Sequence, residues 1–271
     1  MVRKHLMKKN DPFYKYRDNN SAIIYGLHPV IAALGNPKRV IQELFSTADR
    51  IKELKESSEK WPNFAKKALS KFILVTNDEL SLILPTGAVH QGLAVIATDL
   101  PKNSLNEIIE KKHQNTGPIV VLDQVTDPQN LGAIMRSAAI FGAQGIILQK
   151  RNSPSITGSL AKTASGALES VPLIHVTNLA RTLSLLKRSG FWIVGLDANS
   201  PTDLHEALTD APTAIVLGSE GSGLRRLTSK NCDILAKIPT GFTIQNSYQA
   251  SMNVSNAAAI ALYQHSFSAK K

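Results

Sequence analysis

The chain has 271 residues, of which 43% are hydrophobic and 19% are charged. This balance is typical of a folded globular protein, and the length suits two compact units better than one. The apolar runs, such as the one from Ile119 to Leu122, fall far short of the ~18 residues that a transmembrane helix requires. Residues 1–10 carry four basic side chains with no apolar segment behind them, which is not the pattern of a secretory signal. We therefore expect a cytoplasmic protein.

The cysteine and histidine content argues against a metal centre. A single cysteine, Cys232, excludes an intramolecular disulfide and any zinc site built on paired thiolates, and we interpret it as a core residue. The seven histidines lack the i, i+4 spacing of a catalytic metal helix. No metal is expected.

The charge balance favours a polyanionic partner. Lys and Arg number 31 against 21 Asp and Glu, which gives a formal net charge of +10 and points to nucleic acid. Residues 1–20 are disproportionately basic and interleave aromatic rings with Lys15 and Arg17, an arrangement that suits RNA stacking. This tail is either an RNA-contacting arm or a solvated terminus, and its composition leaves both open.

The sequence pattern of residues 21–98 predicts a compact α/β unit. The apolar runs that predict strands cover residues 23–26, 40–45, 72–75 and 90–97. The patterns that predict helices cover residues 29–34, 50–55 and 64–69. Residues 99–117 begin with a proline segment, carry balanced charge and end in a Gly-containing turn, which indicates a linker that contains a short helix around Leu105 to Ile109.

From residue 118 onward, fully apolar strands alternate with helices, which is typical of a parallel sheet covered on both faces. The predicted strands cover residues 119–122, 145–148, 173–176, 192–196, 214–217 and 235–238. The predicted helices cover residues 131–141, 159–167, 179–188, 203–207 and 253–265. The fold class is therefore α/β.

Three polar loops follow strands of this predicted sheet, at the edge where open α/β sheets bind ligands. In the first, residues 123–138, Asn130 is placed to cap the next helix and Arg136 lies one and a half turns beyond it. An arginine among apolar neighbours requires an anionic partner. The partner is either an internal carboxylate or a ligand, and the spacing does not decide between them.

The other two loops also carry polar groups. Residues 217–224 contain three glycines but lack the Lys and Ser/Thr of a P-loop, and Glu220 would repel phosphate, so a ligand with hydroxyl groups or a cationic centre fits better. After Ile238 and an irregular stretch at 242–250, Ser251 or Asn253 can cap a helix. The small residues 257–259 of that helix permit close packing, as at a subunit interface.

Taken together and in order, the three loops resemble the motifs of the SpoU, or TrmH, family of RNA ribose 2′-O-methyltransferases in the SPOUT superfamily. The matching residues are Asn130, Gly132, Arg136, Ser137 and Ala138 in the first motif, Leu217, Gly218, Glu220 and Gly223 in the second, and Ile238, Pro239, Gly241, Ser251, Asn253, Val254 and Ser255 in the third. Residues 24–30 and 90–92 resemble the substrate-binding domain of the RlmB-type branch, which methylates a guanosine of large-subunit (23S) rRNA.

The resemblance implies an architecture and partners. It implies a SPOUT methyltransferase domain at 118–271 with a trefoil-knotted parallel sheet, and a smaller RNA substrate-binding domain at 21–98 that is similar to a ribosomal protein fold. It further implies S-adenosylmethionine as the cofactor, rRNA as the substrate and a homodimer as the working form, with neither DNA nor a membrane as partner.

The resemblance also implies roles for individual residues. The implied catalytic residues are Arg136, Asn130, Glu220, Ser251 and Asn253, and the implied cofactor-binding residues are Leu217, Gly218, Ile238, Met252 and Asn253. Because a guanidinium is a poor base, we expect Arg136 to bind the adjacent phosphate and stabilise the developing alkoxide. Water or phosphate would then take the proton.

Two other functions remain open at this point. A tRNA ribose 2′-O-methyltransferase of the same family is favoured by the basic tail and disfavoured by the full domain at 21–98. A non-catalytic RNA-binding ribosome-assembly protein could keep the fold without the chemistry. The intact set of Asn130, Arg136, Glu220 and Asn253 favours an enzyme.

Overall fold

Two separate β-sheets organise the chain in a computed structural model that describes residues 21–57, 59, 61–110, 117–151, 154, 158–240 and 252–268. Each sheet is the centre of one compact unit. Of the described residues, 21–101 and 158–169 form the first unit, and the others from residue 102 onward form the second. Within the described parts of the chain, no helix is long and apolar enough to cross a membrane.

The first unit contains a mixed four-stranded sheet in the order β1-β4-β2-β3. Its strands are β1 (Ser21–Tyr25), β2 (Ile41–Ser46), β3 (Phe72–Leu74) and β4 (Leu93–Thr98). Its first four helices are α1 (Leu27–Gly35), α2 (Ala48–Glu56), α3 (Asn63–Ser70) and α4 (Asn77–Ile83). Strand β4 runs antiparallel to β1 and β2, whereas β3 runs parallel to β2.

Two features of this unit differ from the sequence-based prediction. The strand predicted at 90–97 begins only at Leu93, because Gln91 and Gly92 have positive φ angles of 54° and 77° and form a turn. Helix α4 was not predicted, although its start carries a capping box. Thr76 accepts a hydrogen bond from the Glu79 amide, and the Glu79 carboxylate accepts one from the Thr76 amide.

A segment from the middle of the chain also belongs to the first unit. It consists of helix α6 (Gly158–Ala164) and the 3₁₀ turn Ala167–Glu169, and the helix packs against β1 and α1. Glu169 forms a bidentate ion pair with Arg39, with N to O distances of 2.9 and 3.0 Å, and both side chains are almost fully buried. Residues 158–169 therefore belong to the first unit of the structure, where this buried pair holds them.

The second unit is built on a six-stranded, all-parallel sheet in the order β10-β8-β9-β5-β6-β7. Its strands are β5 (Ile119–Leu122), β6 (Gly145–Gln149), β7 (Leu173–Val176), β8 (Trp192–Leu196), β9 (Thr213–Leu217) and β10 (Ile234–Ala236). Helix α5 (Leu105–Glu110) precedes β5. The helices that follow β5 in this unit are α7 (Pro128–Ile140), α8 (Leu179–Arg188), α9 (Leu204–Ala207), α10 (Arg226–Asn231) and α11 (Val254–Ser268). The α/β prediction with a parallel sheet is confirmed.

The strand sequences explain why this sheet is parallel and central. All four residues of β5 and all five of β9 are buried, as expected for strands covered on both faces. Helix α10 was not predicted, and β10 ends at Ala236, two residues before the predicted end at Ile238. The expected knot depends on the path of residues 241–251, which lie outside the described residues, as does the basic tail at 1–20.

Candidate active site

The polar loops singled out in the sequence meet at one edge of the parallel sheet. Because all six strands run in the same direction, their carboxyl ends lie along this edge. Asn130 lies in the first turn of α7 after β5, and Glu220 lies in the loop after β9. Asn253 directly precedes α11. Sequence reasoning placed these residues in separate loops, and the fold brings them together.

The carboxylate of Glu220 is the centre of a hydrogen-bond network. Its Oε1 accepts from Asn130 Nδ2 at 3.1 Å, from Asn253 Nδ2 and from the backbone amide of Val254 at 3.4 Å. Asn253 Nδ2 also lies 3.1 Å from Asn130 Oδ1. The network therefore joins three chain segments. Glu220 and Asn253 are exposed and Asn130 is half-buried, so a ligand can reach the network from solvent.

Asn253 has a second function as the N-cap of α11. Its Oδ1 accepts from the backbone amides of Ser255 at 2.9 Å and Asn256 at 3.4 Å, and from the Ser255 hydroxyl at 2.5 Å. The predicted cap at this position is confirmed. Because Oδ1 is held by the helix, Nδ2 is directed towards Glu220.

The capping function predicted for Asn130 is wrong. Helix α7 begins at Pro128, and its N-cap is Asp127, whose carboxylate accepts from the Gln129 amide at 3.0 Å. Proline favours the first helical position because its missing N–H would have no partner there. The Asn130 side chain is therefore available for the contact with Glu220.

Arg136 lies on the exposed face of α7. Among the residues that the structure describes, it has no ion-pair partner, so the alternative of an internal salt bridge has no support there. Its guanidinium is exposed to solvent and keeps its hydrogen-bond donors for an anion.

Gly218 is required by the tight turn after β9. Ser219 and Gly223 exchange backbone hydrogen bonds at 3.0 and 3.2 Å, so that the loop folds back on itself. A Cβ atom at Gly218 would lie 2.2 Å from the carbonyl carbon of Gly223, which no side chain could tolerate. The preceding Leu217 is buried and its carbonyl accepts from the Asp123 amide at 2.8 Å.

The remaining residues of the expected cofactor site are partly accessible. Ile238 is half-buried two residues after the end of β10, and Met252 is 39% exposed next to Asn253. Exposed apolar surface beside a polar network is suited to a ligand with both apolar and polar groups. Ser251 and Gly241 lie outside the described residues.

An ion pair that the sequence did not reveal lies beside this network. Asp123 is fully buried after β5, and its carboxylate accepts from the Arg225 backbone amide at 3.0 Å and from Arg225 Nε and Nη2, both at 2.6 Å. The pair ties the loop after β5 to the end of the loop that carries Glu220. The one available signal was an acidic residue directly after a fully apolar strand.

The thiol of Cys232 takes no part in this chemistry. Burial raises its pKa to about 12, so the side chain is a neutral thiol at physiological pH. It contacts the apolar core of the second unit, as the sequence predicts. Within the described ranges, no group of three His, Cys, Asp or Glu side chains could hold a metal ion.

Comparison with known proteins defines the class of this chain. Residues 117–263 match the model of the SpoU rRNA Methylase family, and residues 23–115 match a model described as RNA 2′-O ribose methyltransferase substrate binding. A protein of Staphylococcus aureus that is named as a TrmH family tRNA/rRNA methyltransferase shares 35% sequence identity with this chain. The alignment covers 89% of this chain and 94% of that protein. An uncharacterized tRNA/rRNA methyltransferase from Synechocystis is 39% identical over 89% of this chain, which spans 61% of that protein.

A solved structure has the same fold. The SpoU methyltransferase AviRb from Streptomyces viridochromogenes, crystallised with its cofactor S-adenosylmethionine, superposes with a TM-score of 0.71 at 21% identity and covers 98% of this chain and 97% of its own. The chain therefore belongs to the SpoU methylase family of RNA 2′-O-ribose methyltransferases. The resemblance stated from the motifs is confirmed at the level of the family.

Proposed function

We propose that the chain transfers a methyl group from S-adenosylmethionine to the ribose 2′-hydroxyl of a guanosine in 23S rRNA. The observation that carries this proposal is the Asn130–Glu220–Asn253 network at the carboxyl edge of the parallel sheet. A polar network that joins three chain segments and stays accessible presents hydrogen-bonding groups to a ligand at the sheet edge where open α/β folds bind their ligands.

The proposed cofactor site consists of Leu217, Gly218, Ile238, Met252 and Asn253. The accessible side chains of Ile238 and Met252 suit the apolar parts of the ligand, and the backbone around Gly218 can approach it closely. When bound, S-adenosylmethionine supplies the methyl group.

The proposed mechanism assigns Arg136 to the RNA. Its guanidinium binds the phosphate next to the target ribose and stabilises the negative charge that develops on the 2′-oxygen. Glu220 holds Asn130 and Asn253 in one geometry, so that the reacting groups are aligned before the methyl group moves. Water or phosphate accepts the proton, since Arg136 stays protonated.

Two features support RNA as the substrate, and the resemblance of residues 24–30 and 90–92 to the RlmB-type substrate-binding domain favours RNA of the large ribosomal subunit. The first unit corresponds to the substrate-binding model, and the chain carries a net charge of +10. A tRNA is the second candidate, because the relatives are named as tRNA/rRNA methyltransferases and the tail at 1–20 is basic. With ribosomal RNA as substrate, we place the activity in the cytoplasm.

We also propose that the enzyme acts as a homodimer through α7 and α11, which pack against each other. Their outer surface exposes Ile140 by 75%, Tyr263 by 52% and Phe267 by 55%. The ring of Tyr263 lies 6.0 Å from that of Phe141 and 4.7 Å from that of Phe267, so these residues form one apolar patch. Patches of this kind mark interaction surfaces. Tyr263→Arg should convert a dimer to a monomer in sedimentation experiments, whereas a wild-type monomer contradicts this assignment.

The proposed activity is tested by incubating the purified chain with labelled S-adenosylmethionine and either a 23S rRNA or a tRNA pool, followed by mapping of 2′-O-methylated positions. Methylation of one guanosine in 23S rRNA is the expected result. Methylation of tRNA alone assigns the second candidate. Binding of RNA without methyl transfer to either pool contradicts the enzymatic proposal.

A further inference from the structure

A second cleft opens at the same edge of the parallel sheet, between the carboxyl ends of β5 and β6. It has a volume of about 250 Å³ and is lined by Leu122, Gln124, Val125, Thr126, Leu148, Gln149, Arg151 and Arg225. None of these residues belongs to the motifs assigned to the cofactor or to the target ribose.

The lining of this cleft divides by chemistry. Leu122 and Leu148, at the ends of their strands, lie beneath the cleft and are each only 1% exposed, so its accessible surface comes mainly from polar side chains. Gln124, Thr126 and Gln149 supply neutral hydrogen-bonding groups, and the two arginines supply positive charge. A cleft lined by neutral hydrogen-bonding groups and positive charge matches the chemistry of a nucleotide, which has a base with hydrogen-bonding edges and an anionic phosphate.

The two arginines differ in how they are held. Arg225 is fixed by the buried carboxylate of Asp123, which binds its Nε and Nη2 and leaves Nη1 available. Arg151 is exposed, and within the described residues it has no ion-pair partner. Because Asp123 neutralises one of the two guanidinium groups, the cleft keeps an excess positive charge on Arg151.

The position of the cleft relates it to the active site. Strand β5 lies between β9 and β6, so the cleft after β5 and β6 is next to the loop after β9 that carries Glu220. Arg225 belongs to the end of that same loop and lines the cleft. A strand of RNA with its target ribose near Glu220 would therefore place a neighbouring nucleotide at the cleft.

We propose that this cleft binds a nucleotide that flanks the methylated position, with its phosphodiester on Arg151 and Arg225 and the polar edge of its base towards Gln124 and Thr126. The proposal rests on the RNA methyltransferase function and adds a contact that specifies which RNA segment enters the site. It does not require the cleft to touch S-adenosylmethionine.

Arg151→Ala is the primary test, since the side chain is exposed and its loss should not affect folding. Binding of a 23S rRNA transcript is measured at several salt concentrations, together with calorimetric binding of S-adenosylmethionine. We expect roughly tenfold weaker RNA binding, because one charge-assisted hydrogen bond is lost. The slope of log affinity against log salt should fall by about 0.7 to 0.9, as for one phosphate contact. Cofactor affinity should equal that of the wild type.

Two further variants make the test specific. Arg188→Ala is the matched control, because it removes the same charge from an exposed position on α8 outside the cleft. It should leave RNA affinity within about twofold of the wild type. Thr126→Val removes a hydroxyl without changing charge, and it should weaken RNA binding a few-fold with an unchanged salt slope.

The outcomes separate this proposal from the function on which it rests. If Arg151→Ala and Arg188→Ala bind RNA equally well while the wild type methylates RNA, the cleft proposal alone is wrong. Loss of S-adenosylmethionine binding in Arg151→Ala also overturns it, because the cleft would then belong to the cofactor site. A wild type that transfers no methyl group while Arg151→Ala loses RNA affinity contradicts the proposed function and retains the cleft.

Discussion

Asn253 donates a hydrogen bond from its Nδ2 to Oδ1 of Asn130 over 3.1 Å, although 123 residues separate the two in the chain. Each asparagine also donates to the same oxygen of Glu220. The start of α7, the loop after β9 and the start of α11 are thereby held together. Substitutions in this network should affect chemistry more than stability, since Glu220 and Asn253 are exposed and Asn130 is only half-buried.

Glu220→Ala removes the common acceptor of the network. The freed amide groups can turn to water, so we expect the free energy of unfolding to fall by only about 1 kcal/mol. Methyl transfer should slow about 100-fold, because Asn130 and Asn253 lose their shared alignment. Urea denaturation and single-turnover kinetics measure the two effects. Glu110→Ala, at an exposed position on α5, is the control, and a Glu220→Ala rate equal to that of the control would contradict the role of the network.

Arg136→Ala tests the group proposed to stabilise the developing alkoxide. The chemical step should slow by about 100- to 1,000-fold, as for the loss of one oxyanion donor. Stability should change by less than about 0.5 kcal/mol, because the side chain is exposed. Arg136→Lys should recover little activity, since an ammonium group cannot form the planar two-pronged contact. A folded Arg136→Ala protein that methylates RNA at the wild-type rate would rule out this role.

Arg225→Ala should behave in the opposite way, because its partner Asp123 is fully buried. Removal of one member of a buried ion pair leaves an uncompensated charge, which typically costs about 3–5 kcal/mol. Arg225 is 38% exposed, so the lower end of this range is expected. The urea midpoint should therefore fall sharply. Arg226→Ala, at the exposed neighbouring position, is the matched control, and equal midpoints for the two variants would show that the pair contributes little.

The single thiol provides a pH-dependent test of the core. Burial raises the pKa of Cys232 to about 12 from an ordinary value near 9, so the folded state favours the neutral thiol. This contribution to stability is complete below about pH 9 and is lost as the pH rises from there towards 12, because the unfolded chain ionises first. At pH 8, a disulfide reagent should leave the folded protein unlabelled and modify one thiol per chain in denaturant. Rapid labelling of the native protein would show that Cys232 is accessible.

Local sequence patterns determined most of the second unit. The four consecutive apolar residues of β5 are typical of a short strand that is buried on both faces, and the structure confirms both ends of this strand. Local sequence gives Ser251 and Asn253 as the two candidate caps of α11, because an N-cap depends on neighbouring residues, and the structure shows Asn253 in this role. The motifs around Asn130, Glu220 and Asn253 identified the family from the order of short segments.

Local patterns gave the wrong start of an element where a better helix cap or a turn lay nearby in the sequence. Asn130 looked like a helix cap, but Asp127 followed by Pro128 provides a better helix start three residues earlier. The strand at 90–97 looked continuous, but the left-handed backbone at Gln91 and Gly92 delays it to Leu93.

Only the tertiary structure decided which distant groups meet. The Asp123–Arg225 and Arg39–Glu169 pairs join residues 102 and 130 positions apart, and the second pair assigns residues 158–169 to the first unit. The sequence determined the hydrophobic periods that form each strand and helix, because these depend on residues within one or two turns. Strand order and the burial of individual charges depend on how whole elements pack, since a buried carboxylate is tolerated only when the folded chain brings a cation to it.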